Sequence, residues 1–289
     1  PIWIQNRFDN QYDPAVQKLL LNSFNKPSET YIRNDSNTST KQLKNKLKQC
    51  DIKSEIYNQS FLKIKNGSKN ILRDRLFQSG QISIQDPASY GIIECLDIQK
   101  GDIILDVCAA PGTKSLAMSH LVGKNGKIIS SDINNRRVRM GKNDLKRHKR
   151  KNIFWSVKDA SKDTFPLVDK ILIDAPCSGL GVLRRKPDIR WRRKESDIDF
   201  FTNLQLQILC HMSNFLNPGG LIVYGTCSID KEENIGVVQR FLKNNTKFKL
   251  VEMPNTINKK LINENLYFST LNVIDKLDGM FAARLKKND

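Results

Sequence analysis

The sequence predicts an α/β fold, a largely parallel sheet covered by helices on both faces. From about residue 78, short apolar runs of buried-strand type alternate with stretches of helical spacing, the order in which strand and crossover helix follow one another in parallel sheets. The runs are apolar throughout, as in strands buried on both sides. Two of them, ending at Asp174 and Thr226, lead into turns that each carry a cysteine, Cys177 and Cys227. In open α/β sheets that rim, outside the carboxyl ends of the strands, is where ligands bind.

Residues 1–77 read differently. They are polar and basic, with 14 Lys and Arg against 7 Asp and Glu. Helical spacing over 12–24 places Val16, Leu19, Leu20 and Leu21 together. A Ser/Thr/Asn loop at 34–40 precedes a basic helix at 41–48, with Leu43 and Leu47 four apart. Short pieces at 52–56 and 61–64 read as strands, so that a small α+β subdomain is expected over 1–77. The chain opens Pro1-Ile2-Trp3-Ile4 without an initiator Met, which fits a chain trimmed from a longer one.

In the second part, 78–289, Ile103–Val107 reads as the first strand, punctuated by Pro111-Gly112 and followed by helical character from Ser115 to Val122. Lys127–Asp132 is the next strand, then a basic helix over 136–150. Strands follow at Ile153–Val157 and Val168–Asp174. A helix over 196–216 leads through Pro218-Gly219-Gly220 to a strand at 221–226. A helix at 231–244 and strands at 248–251 and 280–285 complete the pattern.

Composition bounds the function. The formal charge of +18 over 289 residues directs the protein to polyanions, of which nucleic acid is the commonest; a Lys-rich composition throughout is the plain alternative. No apolar run approaches the roughly 18 residues of a membrane span, and no signal peptide opens the chain. Six cysteines form no C-x-x-C pair and only three His are present, so no metal site is expected and the thiols read as reduced and cytosolic.

The first strand-to-helix loop is Cys108-Ala109-Ala110-Pro111-Gly112-Thr113-Lys114. It matches neither dinucleotide nor P-loop fingerprints, yet its small residues let a ligand approach the backbone, and the helix that follows favours a carboxylate at its start. Asp132 ends the next strand 20 residues after Gly112, the place of a carboxylate that accepts from ribose hydroxyls. Asp159, after the third strand, could face an adenine amino group. A nucleoside with an amino-acid tail fits this set, and S-adenosylmethionine is the candidate; singly, each Asp is as well read as a turn or cap residue. For Cys177 and Cys227, catalysis and simple burial both remain open. Asp230 with Glu233 three residues on resembles a capping box, which would set a helix N-terminus beyond Cys227 and lower its thiol pKa.

Together, Asp106-Val107-Cys108-Ala109-Ala110-Pro111-Gly112-Thr113-Lys114, Asp174-Ala175-Pro176-Cys177-Ser178-Gly179 and Thr226-Cys227-Ser228 resemble the Sun (Fmu) family of S-adenosylmethionine-dependent RNA cytosine-5 methyltransferases, in its bacterial 16S ribosomal RNA form. The resemblance continues through Ile84-Gln85-Asp86-Pro87-Ala88-Ser89, Arg184-Arg185-Lys186-Pro187-Asp188, Glu232-Glu233-Asn234 and Asp278-Gly279-Met280-Phe281, in order from about residue 78. The chain departs from the family at Thr113, where a second Gly is usual, at Tyr90, where Gln is common, and at Met280, where a Phe stands. The resemblance implies a Rossmann-like class I methyltransferase with a mostly parallel seven-stranded sheet, and the basic α+β segment before it, 1–77, is expected to be an RNA-binding subdomain. It implies Cys227 as nucleophile on cytosine C6 and Cys177 as an aid to product release. Asp174 would contact cytosine N3 or the cofactor, oriented by Lys114, and the cofactor would lie on residues 108–114, Asp132, Asp159 and Asp174. A helical NusB-like domain often stands upstream in such relatives, and nothing here resembles it.

For RNA contact, Arg184, Arg185, Lys186, Arg190, Trp191 and Arg192 are expected because they follow the Pro-Cys turn at the active rim; Trp191 either stacks on a base or packs on the core. The basic helix over 136–150 reads equally as a solvated face or a phosphate contact. Cys108 is expected to act through its backbone, and Cys50, Cys95 and Cys210 to pack. A cytoplasmic monomer acting on ribosomal RNA is the principal expectation. Transfer RNA as substrate, a DNA cytosine-5 methyltransferase with Cys177 as nucleophile, and a non-catalytic RNA-binding assembly factor are the alternatives.

Overall fold

The computed structural model describes residues 1–289. Its large sheet is built from β5 (Ile103–Val107), β6 (Lys127–Asp132), β7 (Ile153–Val157), β8 (Val168–Asp174), β9 (Leu216–Thr226), β10 (Phe248–Leu250), β11 (Phe268–Thr270) and β12 (Met280–Lys287). The strand order is β10-β12-β9-β8-β5-β6-β7, with β11 paired to β12. Strands β5 to β9 are mutually parallel, and β10, β11 and β12 pair antiparallel. The expected seven strands are therefore joined by an eighth, β11, a three-residue piece on the start of β12. Strand β9 begins five residues earlier than its apolar run, because Pro218-Gly219-Gly220 bulges within it.

The chain runs from β5 outward through β6 to β7, then crosses back to β8 on the other side of β5. That reversal opens a crevice at the carboxyl ends of β5 and β8. Alternation along the strands divides the core into two layers: Ile104, Leu172 and Val223 face one side, and Leu105, Ile173 and Tyr224 the other. Helices Pro87–Glu94 and Thr113–Leu121 cover the first face. Helices Ser196–Met212 and Val237–Asn244 cover the second. Pro87–Glu94, not foreseen from periodicity, is started by the Asp86 side chain, which accepts from the Ala88 N–H, with Pro87 at the first helical position.

The first part of the chain is not the single subdomain expected over 1–77. A four-stranded antiparallel sheet, in the order β2 (Lys53–Ile56), β3 (Phe61–Asn66), β1 (Thr30–Asn34), β4 (Ile82–Ile84), packs on helix Thr40–Gln49. Its last strand pairs with β1 through Ile32↔Ile84, so the unit runs past the expected boundary at 77. Helices Ile2–Asp9 and Pro14–Ser23 leave this sheet altogether. They bury Ile4, Phe8, Leu20 and Phe24 against Leu180, Leu183, Ile198 and Ile229 of the large domain. No helix is long and apolar enough to cross a membrane.

Candidate active site

Strands β8 and β9 lie in parallel register, with Asp174 opposite Gly225. Their turns therefore rise from the same point of the rim. Cys177, three residues past Asp174, and Cys227, two past Gly225, meet with their sulfurs 3.3 Å apart. The pair is asymmetric. A hydrogen bond from the Cys177 thiol holds Cys227 below the ordinary thiol range; burial and the Asp174 charge oppose the shift, and the cations of Lys114 and Lys186 assist it. The same hydrogen bond, with burial, pushes the Cys177 thiol well up.

The expected capping box does not form. Glu233 is buried and turns inward, where its carboxylate accepts from the Ser178 N–H (2.8 Å), the Ser178 hydroxyl (2.5 Å), the Ser228 hydroxyl (2.6 Å) and the Gln205 amide (3.0 Å). Ser178 and Ser228 each follow one of the two cysteines, so a single carboxylate ties the two turns together. Burial raises the Glu233 pKa against these four donors. Asp230 does accept from the Glu232 N–H at 2.9 Å, but the chain then makes a wide π turn, Glu232–Gly236, before the α-helix begins. The lowering of Cys227 thus comes from Cys177 and two lysines rather than from an adjoining helix end. Arg193, which sequence reasoning passes over, donates to the Ser178 carbonyl at 3.2 Å and lies over the Phe201 ring, bracing the Cys177 turn from outside.

Lys114 extends from the first helix to Asp174, with Nζ 2.8 Å from Oδ2. Burial would lower the lysine pKa, but the Asp174 charge and hydrogen bond outweigh it and the net shift is upward. The two side chains, together with Cys227, Ala109, Ala110, Pro111 and Thr113, line a cavity of about 320 Å³. The loop is shaped for close approach. Gly112 has φ +107°, and a Cβ there would lie 2.7 Å from the Trp155 ring. Cys108 also has positive φ, and the Ala110–Pro111 peptide is cis. Asp132 is buried beneath this loop, accepting from the Ala110 N–H at 3.2 Å and the Asn134 N–H at 2.9 Å. Arg137 lies across it, 3.4 Å from Asp132 and donating to the Ala110 carbonyl.

Not all expected residues gather here. Asp159 stands apart from the cavity lining and caps its own turn, accepting from the Ser161 N–H and hydroxyl. Arg185 lines the cavity but is bound to Asp278 (2.7 Å) and Asp86 (3.1 Å), an internal clamp rather than a free cation. Burial and the Asp278 charge push the Asp86 carboxyl up to about 7, against Arg185. Arg190 is held by Asn25 and the Phe24 carbonyl, and Arg192 by Asp188. The Arg184 Nε is buried without a partner. Lys186 stands exposed at the cavity mouth. Trp191 is 79% exposed, which removes the core-packing alternative. Of the cysteines expected to pack, Cys95 is buried and Cys210 half-buried, but Cys50 is exposed. Cys108 is half-buried and its thiol is pushed up by burial. At the three departures, Met280 and Thr113 line the cavity, while Tyr90 packs edge-on against Phe61.

Residues 93–286 match the family model described as 16S rRNA methyltransferase RsmB/F. A curated relative from Bacillus subtilis (strain 168), a probable ribosomal RNA small subunit methyltransferase B, is 31% identical over 253 residues, covering 86% of this chain and 57% of its own length. Ribosomal RNA small subunit methyltransferase B of Yersinia pestis (strain Angola) is 33% identical over 263 residues, covering 89% of this chain and 60% of its own. The chain thus spans about 60% of the length of these relatives. Among solved structures, PH0851 is 29% identical with a TM-score of 0.91, covering 99% of this chain and 66% of its own. NSun6 from Pyrococcus horikoshii with SFG shares the fold at 21% identity, with a TM-score of 0.89 over 100% of this chain and 98% of its own.

Proposed function

The chain belongs to the 16S rRNA methyltransferase RsmB/F family, and on that premise we propose that it transfers a methyl group from S-adenosylmethionine to C5 of a cytosine in 16S ribosomal RNA. The observation that carries the reading is the pair of sulfurs 3.3 Å apart at one rim, with Cys227 on the wall of the cavity that Ala109, Ala110, Pro111, Thr113 and Lys114 also line.

The residues present fit the cofactor. The small residues Ala109 and Ala110 of the loop line the cavity and let a ligand approach the backbone, and the buried Asp132 stands under the loop as a hydrogen-bond acceptor at the carboxyl end of β6. When bound, S-adenosylmethionine supplies an electrophilic methyl group. The chain's own residues supply the rest. The Cys227 thiolate adds to C6 of the cytosine, forming an S–C6 bond and moving the C5–C6 π electrons onto C5, which is otherwise a poor nucleophile. Asp174, held by Lys114, meets the N3 edge of the base, where its carboxylate accepts from the exocyclic amino group and fixes the orientation of the ring. After transfer the C5 proton passes to solvent water, the C5–H pair reforms the C5–C6 double bond, and the S–C6 bond breaks with its electron pair returning to the Cys227 sulfur. The Cys177 S–H stabilises the departing thiolate through the hydrogen bond it already makes.

The test uses Cys227→Ala and Cys177→Ala with a 16S ribosomal RNA transcript, with duplex DNA alongside. Cys227→Ala is expected to abolish 5-methylcytosine on bisulfite mapping. Cys177→Ala is expected to accumulate a protein–RNA adduct that survives denaturing gels. Full activity in Cys227→Ala, or preferential methylation of the DNA, would overturn the reading.

A further inference from the structure

The helix Asn135–Arg147 leaves the rim beside the cofactor loop and runs back along the sheet. Its start is fixed at the site, where Asn134 caps it and Arg137 bridges Asp132 and the Ala110 carbonyl. Its inner side, Val138 and Gly141, is packed on the sheet edge, with Gly141 close enough to Trp155 that a Cβ would meet the ring at 2.5 Å. The outer side carries Arg136, Arg139, Lys142 and Lys146, and Lys149 follows just past the helix end. Their spacing of three and four residues aligns them in one stripe. All five are exposed, and none has an acidic partner, whereas the neighbouring Arg137 and Arg147 are paired with Asp132 and Asp144.

The stripe ends in a second feature. Lys124, Lys149, Arg150 and Lys151, with Gly123 and Asn152, line a cleft of about 430 Å³ that contains no carboxylate and no apolar side chain. Residues 123–124 precede β6 and 149–152 precede β7, so the cleft lies at the amino ends of the parallel strands, opposite the active rim. The Arg150 Nε is buried there without a partner. A solvated helix face ordinarily mixes both signs, because like charges three and four apart repel. A line of unpaired cations leading from an active rim to an all-cationic cleft instead suits a continuous polyanion, with the cations about 4.5–6 Å apart along the helix axis.

We propose that this stripe and cleft carry the phosphodiester backbone of the substrate RNA on one side of the target nucleotide, leading it from the rim to the amino end of the sheet. The proposal rests on the reading of the protein as an RNA methyltransferase. Phosphate contacts of this kind fix register without reading sequence, and their signature is salt dependence.

The test compares the wild type with a stripe variant, Arg139→Gln/Lys142→Gln/Lys146→Gln, and a cleft variant, Lys124→Gln/Lys149→Gln/Lys151→Gln. The probe is a 16S ribosomal RNA transcript titrated at several potassium chloride concentrations. Each phosphate contact removed lowers the slope of log affinity against log salt by roughly 0.7 to 0.9, so each triple variant is expected to flatten the slope by roughly 2. The RNA concentration for half-maximal methylation is expected to rise about tenfold or more with the saturating rate kept, while melting temperature and S-adenosylmethionine affinity remain at wild-type values. Unchanged RNA affinity and slope in both variants would overturn the proposal. So would loss of binding to phosphatidylglycerol–phosphatidylcholine vesicles with RNA binding intact, which would assign the surface to lipid. Absence of methylation by the wild type would strike the functional reading alone, because the binding comparison does not depend on turnover.

Discussion

Cys177 and Cys227 are brought together by a residue that is neither of them. Glu233 collects the Ser178 and Ser228 hydroxyls and the Ser178 N–H on one buried carboxylate, so the distance between the sulfurs is set by a third group behind them. Spacing alone suggests a helix cap for Glu233, because a local pattern carries no information about which distant loop will approach. Arg185 escapes sequence reasoning for the same reason, since its partners Asp278 and Asp86 are visible only once the chain is folded, whereas Asp159 follows the local turn alternative through Ser161. Asp106 lies deeper. Burial, with the charges of Asp174 and Asp132, lifts its carboxyl to about 7, against the Ser115 hydrogen bond and Lys114. A carboxyl raised in the folded state is neutral there while its unfolded counterpart ionises near pH 4, so stability falls as pH rises from about 4 to about 7 and levels off beyond. Asp106→Asn removes that share. The variant is expected to match the wild type in urea unfolding near pH 4.5 and to exceed it near pH 8 by on the order of a few kcal/mol. Parallel stability curves for the two proteins would refute the assignment.

At the scale of elements, the opening helix Ile2–Asp9 is the part least legible in sequence, yet it docks on the segment just past Cys227. Eight residues hold too few turns for a periodic signal, and the helix exists because it is docked. Phe8 is fully buried beside Tyr12 and Phe24. Arg7 grips Asp230 at 2.7 and 3.1 Å, Gln11 adds a third bond to the same carboxylate, and the Tyr12 hydroxyl donates to the Ile229 carbonyl. All of these reach the segment immediately after Cys227. Arg7→Ala would leave the buried Asp230 with only Gln11 and the Glu232 N–H, at a cost of about 3 kcal/mol. Because the loop 108–114 proposed to hold the cofactor is untouched by this helix, Arg7→Ala is expected to lower the melting temperature and the methyl-transfer rate while S-adenosylmethionine affinity by calorimetry remains unchanged. A parallel loss of cofactor affinity would show that the helix supports the whole crevice rather than the Cys227 turn. The strands of the large sheet stand at the other extreme, since β5, β6, β7 and β8 fall on the apolar runs that suggest them.

For the molecule as a whole, legibility follows the kind of contact that holds each part. The large sheet is visible because burial on both faces demands apolar runs, and the loop 108–114 because its residues are local in sequence. The arrangement of residues 1–84 is hidden because it depends on contacts made far along the chain. Two helices lie on the turns of the cysteines, and the small sheet reaches the cofactor loop through Arg33. That buried residue donates to Gln85 and the Thr113 carbonyl while paired with Asp35 at 2.5 Å. A boundary near residue 77 would therefore cut through one structural unit and strip another from the site. A chain shortened to residues 78–289 would leave β4 without β1 and expose Leu180, Leu183, Ile198 and Ile229, all buried in the full protein. Each such side chain contributes about 1.5–3 kcal/mol through burial, and a folded domain stands only about 5–15 kcal/mol above its unfolded state. The loss of four is comparable to the whole margin. The shortened chain is expected to lack a cooperative thermal transition and to bind no S-adenosylmethionine, where residues 1–289 do both. A cooperative melt with retained cofactor binding in 78–289 would mean that the first 77 residues act only on RNA and that the large sheet stands without them.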